Sequence, residues 1–307
     1  MTMNWSGVMP AITTCFDADL QIDHEFTARH VRWLVDSGCT GIVTNGSLGE
    51  GGTLTIDEKI ELWKTCVSAV GDRVPIVAAI ASTTTAEACA QAAEAESAGC
   101  RGLMVLPPYV YRGDWREMKN HISEIVRATS LSCMLYNNPV AYGTDFLPEQ
   151  IAELAAELPN LHAVKESSTD VRRVTAIRAL LCERLRIFVG VDDCIVEGID
   201  AGAVGWIAGL VNAFPRESVD VFSFASNGET EKARELYEWF LPLLRLDTVP
   251  KFVQLIKLCQ EKVGMGSTRV RPPRLDLIGV ELEETIALIE NALATRPTAS
   301  DAEAASQ

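Results

Sequence analysis

The feature that most constrains this chain is a repeat. A short, continuously apolar run is followed by a longer amphipathic one, about eight times between "VMPAITT" near Val8 and "RESVDVFSFASNG" ending at Gly228. The later apolar runs are "GIVTNGS", "VPIVAAIAS", "GLMVLPP", "CMLYNNP", "HAVKESS", "RIFVGVD" and "AVGWIAG". Unbroken apolar runs, rather than alternating ones, are the pattern of parallel strands covered on both faces. The runs between them have helical length and period. Thr55-Ile-Asp-Glu58 and Thr84-Thr-Ala-Glu87 have capping-box spacing, and Gly38, Gly71 and Gly99 stand where helices end on a glycine. Eight such units predict an α/β fold, a TIM (β/α)8 barrel, with a doubly wound open sheet as the rival. The barrel is assigned to residues 1–228. Three helical stretches follow, "EKARELYEWFLPLLRL", "PKFVQLIKLCQEKVG" and "ELEETIALIENALA". They are too few for an independent large core, so residues 229–295 read as a helical extension packed on the barrel. Residues 296–307 are small and polar and are expected to form a disordered tail.

Composition narrows the function. The net charge of −15 argues against nucleic acid, whose phosphates need Lys and Arg partners, and against docking on anionic lipid. The nine cysteines are odd in number and contain no C-x-x-C, so buried thiols in a reducing compartment are expected. No apolar run is long enough to span a bilayer, and the start lacks a signal-like pattern. A cytoplasmic protein is the expectation. The four histidines, His24, His30, His121 and His162, form no H-x-H or H-E-x-x-H pair, so no metal site is expected. G-x-S-x-G and Walker loops are absent as well.

Barrel enzymes carry their chemistry at the carboxyl ends of the strands. Those ends place "GSLGE" (Gly46 to Glu50) after strand 2, Tyr109 and Tyr111 after strand 4, and Tyr136, Asn137 and Asn138 at strand 5. Lys165 ends strand 6, Gly190, Asp192 and Asp193 follow strand 7, and Ile207, Ala208 and Gly209 end strand 8. Of eight lysines, Lys165 alone ends an apolar strand; the others lie in amphipathic runs. Desolvation lowers a lysine's pKa, and a neutral amine attacks carbonyl or imine carbon to form a Schiff base. The bland alternative is a lysine paired with Glu166 or an aspartate. Tyr136 ends the neighbouring strand and could move protons at a carbinolamine, or could be a core tyrosine with its hydroxyl at the rim. "GSLGE" could hold a carboxylate on its amides, with Ser47 passing a proton to Tyr136, or could be only a turn. The arginines of "STRVRPPRLDL" read as a solvated or interface turn before a substrate site.

With "GSLGE", "LYNNP", "VKESS", "GVDD" and "GAVGWIAGLVN", the chain resembles the dihydrodipicolinate synthase / N-acetylneuraminate lyase family from about Val8 to about Leu293. The resemblance implies a TIM barrel with a C-terminal helical domain, usually a homotetramer. It implies a Schiff-base lysine at Lys165, a proton-transferring tyrosine at Tyr136, and carboxylate binding by Ser47 and the Leu48 amide. Catalytic Lys165, Tyr136 and Ser47 are thus expected, with Ser47, Leu48, Gly49, Asn138, Gly190 and Ile207 against a small carboxylate-bearing substrate, and no external cofactor.

Two departures matter. Dihydrodipicolinate synthases carry an arginine two residues after the proline of Y-N-x-P, where this chain has Ala141, and Leu48 replaces the second threonine of their G-T-T-G-E loop. The apolar "WIAG" suits a sugar's hydroxyls poorly. "GSLGEG", "KESSTDVRR", "GAVGWIAGLVNAFPRESV", "YEWFLPLLRLD" and "VRPPRLDL" are similar to 1-pyrroline-4-hydroxy-2-carboxylate deaminases of hydroxyproline breakdown. The rival on the same lysine imine is a dehydratase or aldolase acting on a 2-keto-3-deoxy sugar acid. A pyridoxal-phosphate enzyme and a non-catalytic metabolite sensor are more distant alternatives.

Overall fold

A computed structural model describes residues 3–108 and 110–297; Tyr109 and most of the expected tail, 298–307, lie outside the described residues. The chain alternates strand and helix as the repeat requires. The order is β1 (Gly7–Pro10), α1 (His24–Asp36), β2 (Ile42–Thr44), α2 (Ile56–Val70), β3 (Ile76–Ile80), α3 (Thr85–Ser97), β4 (Gly102–Val105) and α4 (Trp115–Arg127). Then come β5 (Ser132–Asn137), α5 (Pro139–Tyr142), α6 (Pro148–Glu157), β6 (Leu161–Glu166), α7 (Arg172–Leu181), β7 (Arg186–Val189), α8 (Ile195–Asp200), β8 (Gly205–Ala208) and α9 (Pro215–Ser226). Helices α10 (Thr230–Leu244), α11 (Phe252–Lys262) and α12 (Gly279–Ala294) follow. No helix among the described residues is long and apolar enough to cross a membrane.

The eight strands form one parallel sheet in the order β1-β8-β7-β6-β5-β4-β3-β2. A parallel bridge between Ala11 and Val43 joins the two ends, so the sheet curls into the barrel and the open-sheet rival falls. Strand alternation separates two cores. Met9, Val43, Met104, Met134, Ala163 and Phe188 fill the barrel. Ile42, Leu103, Leu135, Val164 and Ile187 face the helices. Trp5 plugs the amino-terminal end, donating to Ser132 Oγ at 2.7 Å and meeting Phe188 edge-on. With that end closed, the open space lies at the carboxyl ends.

Local signals explain the helix limits. The Thr55–Glu58 capping box is complete in both directions. The Thr84–Glu87 box is only half made: the Glu87 amide donates to Thr84 Oγ1, but the Glu87 carboxylate accepts from Ser82 Oγ at 2.5 Å instead. Gly38, Gly71 and Gly99 take positive φ as helix-ending glycines do.

Of the three last helices, α10 and α11 pack on the barrel and α12 packs on those two. Phe240 of α10 meets Phe214 edge-on. In α11, Val253 through Gln260 are all buried, so this helix is covered on every side. Its Lys257 reaches into the barrel rim, where Nζ pairs with Glu50 at 2.5 Å.

Candidate active site

Strand register brings the two leading candidates together. β5 and β6 pair with Tyr136 opposite Lys165, and both point into the barrel. Lys165 Nζ lies 4.3 Å from the centre of the Tyr136 ring. The next residues, Asn137 and Glu166, point outward by alternation and bond each other, Asn137 Nδ2 donating to Glu166 at 2.9 Å. Glu166 is thus turned away and is not the partner of Lys165. No described residue gives Lys165 Nζ a direct ion pair. Burial pushes its pKa down to about 8, opposed by the charges of Asp247 and Asp192.

Lys165 needs room beside it, and Gly190 supplies it. A Cβ at Gly190 would sit 2.0 Å from Ser167 Oγ and 2.5 Å from Lys165 Cε, so β7 must end on a residue without a side chain.

Tyr136 is buried, and burial raises its pKa. Asn138 Nδ2 donates to the Tyr136 hydroxyl at 3.0 Å while Asn138 Oδ1 caps α5 by accepting from the Ala141 amide at 2.9 Å. Asn138 therefore orients the phenol as well as lining the cavity. The hydroxyl partner of Ser47 is Tyr142, through a short hydrogen bond. Tyr142 in turn stands edge-on to Tyr136, with ring centres 5.7 Å apart. The expected Ser47–Tyr136 connection thus runs through a third hydroxyl. Tyr142 was missed in the sequence because α5 is a single turn without periodicity. Its signal was local: Asn138 as cap, Pro139 at the first position and Gly143 with φ +68° at the end.

These side chains line a cavity of about 650 Å³ at the barrel mouth. Ser47, Leu48, Asn138, Gly190 and Ile207 stand on its wall with Tyr136 and Lys165. Gly49 does not: its carbonyl accepts from Thr14 Oγ1 at 2.6 Å, and a Cβ there would strike the Ile12 carbonyl. Glu50 ends the loop with φ +53°, held by Lys257, by the Arg271 amide at 3.0 Å and by Arg274 at 3.7 Å. The ion pairs that anchor this loop therefore come from the C-terminal helices and the connector. Arg274 also lines the cavity, so one arginine of that connector does reach the candidate site.

Two aspartates complete the surroundings. Asp192 is fully buried below the mouth and accepts from the Trp206 indole at 3.2 Å and from the Gly209 and Leu210 amides at 3.1 and 2.9 Å. Burial still pushes its pKa up to about 6, although these donors and Lys165 pull it down. Asp247, in the turn after α10, lines the cavity. The residue as a whole is part-buried, but its Oδ1 is sealed from solvent with no hydrogen-bond partner among the described residues. Burial and the Asp192 charge hold Asp247 well above the usual carboxylate range, while Lys165 pulls it down. The strand ends did not point to Asp247, because it lies in the extension; only the stretch "YEWFLPLLRLD" contains it, as its last residue.

A lysine at a TIM-barrel strand end, beside a phenol and above a dry carboxyl pair, is arranged for imine chemistry, and the fold is that of the class I aldolase-like lyases. The chain belongs to the dihydrodipicolinate synthetase family, whose model matches residues 4–292. It is 33% identical over 273 residues to a 4-hydroxy-tetrahydrodipicolinate synthase of Caldicellulosiruptor bescii, covering 89% of this chain and 90% of that one. A 4-hydroxy-tetrahydrodipicolinate synthase of Desulforamulus reducens is 29% identical over 290 residues, covering 94% and 98%. The solved 4-hydroxy-tetrahydrodipicolinate synthase of Methylacidiphilum fumariolicum SolV superposes with a TM-score of 0.90 at 29% identity, covering 95% and 98%. These relatives carry the synthase name, so the finer likeness to the deaminases rests on the motifs alone.

Proposed function

We propose that this chain is a 1-pyrroline-4-hydroxy-2-carboxylate deaminase, a hydrolase of hydroxyproline degradation that releases 2,5-dioxopentanoate and ammonia. The observation that carries the reading is the apolar part of the lining: Ala141, Leu48, Ile207 and Ala208 share the cavity with Lys165, where a polyhydroxylated substrate would need partners. Ala141 also stands where the resemblance expects an arginine in the synthases.

In this reading the amides of the "GSLGE" loop hold the substrate carboxylate, with Ser47 and Leu48 in contact. Lys165 Nζ bonds to the imine carbon, and the ring opens to a lysine-bound iminium. That iminium draws electrons and acidifies the adjacent carbon. Loss of its proton and of the hydroxyl as water, served by Tyr136 with Tyr142 and Ser47 behind it, leaves an unsaturated imine. Tautomerisation and addition of two waters free the lysine, ammonia and the dioxo acid. One water is released and two are consumed, so no oxidant and no further cofactor is needed. The same reading takes the active form as a cytoplasmic homotetramer. Val110, Tyr111 and Val140, exposed near the mouth, are the apolar residues a neighbouring subunit would cover, and sedimentation of the purified protein checks it.

The test supplies purified protein with the hydroxypyrroline carboxylate and, separately, with 2-keto-3-deoxy sugar acids and with pyruvate plus aspartate semialdehyde. Ammonia from the first alone supports the deaminase. Dehydration or cleavage of the second, or condensation of the third, replaces it with a dehydratase, an aldolase or a synthase. Borohydride during turnover should add substrate mass at Lys165, and Lys165→Ala should give neither adduct nor product.

A further inference from the structure

The group least explained by this reading is Asp247. Its Oδ1 has no partner among the described residues and no solvent, yet the residue lines the cavity that holds Lys165. A carboxyl oxygen sealed without a donor favours the protonated acid, which leaves the group with a proton to give. Neighbouring backbone is shaped around it: a Cβ at Gly209 would lie 2.0 Å from Asp247 Oδ1. Asp192, by contrast, spends its oxygens on three donors and has none to spare for a ligand.

We infer that Asp247 is a further catalytic residue, which protonates the ring nitrogen of a cyclic imine as Lys165 attacks and whose carboxylate then holds the freed amine. The inference rests on the deaminase reading and names the substrate class more narrowly: a carboxylate-bearing cyclic imine rather than a keto acid. The step balances. Lys165 Nζ forms a bond to the imine carbon, and the C=N π pair moves to the ring nitrogen, which takes the Asp247 proton. One Nζ proton then passes to that nitrogen as the ring C–N bond breaks and the Nζ lone pair closes the new iminium. The ring nitrogen gains two hydrogens and leaves as a primary amine, the iminium carries the positive charge, and Asp247 carries the negative one. A keto acid frees water instead and leaves no amine for Asp247 to hold.

The experiment measures borohydride trapping at Lys165 by mass spectrometry with two probes, 1-pyrroline-2-carboxylate and pyruvate, in the wild type and in Asp247→Asn. The first probe has no hydroxyl, so the result is read whether or not the protein releases ammonia from the hydroxylated acid, which scores the deaminase reading separately. The wild type should trap the cyclic imine in preference to pyruvate. Asp247→Asn should slow trapping of the cyclic imine ~100-fold, the scale of a lost proton donor, and pyruvate trapping by less than about threefold. If Asp247 were only a counter-ion to Lys165, both probes would change together, and that result overturns the inference. An unchanged cyclic-imine rate, or a wild type that prefers pyruvate, overturns it as well. Gly209→Ala, at φ −90°, keeps the charge but displaces the carboxyl, and should give the same selective loss if Asp247→Asn fails to fold.

Discussion

In the proposed reaction the state of the Lys165 amine governs every later step, and pH is the perturbation that reads it. Burial lowers its pKa from 10.5 to about 8, in spite of the opposing Asp247 and Asp192 charges. Near pH 7 the neutral fraction is then roughly 9%, against roughly 0.03% for an unperturbed lysine, a gain of about 300-fold in reactive amine. The sign follows from the cause: the protonated form is disfavoured, so reactivity rises with pH and levels off above about 8. The assay is the initial rate of reductive trapping at Lys165 between pH 6 and pH 10, on protein saturated with neither probe. An ascending limb with its midpoint near 8 is expected. Removing the Asp192 charge with Asp192→Asn takes away one of the groups that hold the proton on, so the midpoint should move to lower pH. A limb that climbs without levelling up to pH 10 would show an ordinary, solvated lysine and would refute the reasoning. So would an Asp192→Asn midpoint at higher pH.

Other outcomes follow from the same geometry. Tyr136→Phe should lower kcat for ammonia release by roughly 10²–10⁴ while the Lys165 adduct still forms, checked by steady-state kinetics and mass spectrometry. Gly190→Ala should push Lys165 off its line, since the new Cβ would lie 2.5 Å from Lys165 Cε, and adduct formation should fall ~100-fold with circular dichroism unchanged. Lys257→Met leaves Glu50 without its closest cation in a fully buried site, and should cost about 3–5 kcal/mol in urea unfolding. Combining it with Glu50→Gln should restore much of that loss.

The fold was legible because its signal is redundant: eight apolar strands, each with its own helix, leave few topologies. The pairing of Tyr136 with Lys165 was legible for a related reason. In a parallel barrel, neighbouring strands end side by side, so two residues in the same position of consecutive runs must meet. What was not legible came from single turns and from buried charge. Tyr142 sits in one turn of helix, with only Asn138, Pro139 and Gly143 to mark it. Lys59 and Lys257 were read by periodicity as members of amphipathic helices, yet both are buried, because α11 is covered on all sides and Lys59 Nζ lies against Gln91. Periodicity reports how many faces a helix hides, not which polar residue is hidden with a partner. The "GSLGE" loop was read as a binding turn. Its Gly49 instead serves packing, which a loop's composition does not reveal.

Where the missed residues come from says something about the architecture. The strand ends supply Lys165 and Tyr136, the pair proposed to react. The turn after α10, helix α11 and the connector after it supply Asp247, Lys257 and Arg274. Lys257 and Arg274 act on Glu50, which closes the loop that carries Ser47 and Leu48. The charge of Asp247 favours the protonated Lys165 amine. A barrel alone would thus present an amine and a phenol with Asp192 beneath them, but without Asp247 and without the ion pairs that hold the loop. The extension lines part of the mouth and adds to its charge balance, so altering the turn at Asp247 changes the electrostatics of the amine without touching a strand. Families built on one barrel can diverge in chemistry through such a turn, since function lives in the site and loops carry more of it than the strands that position them.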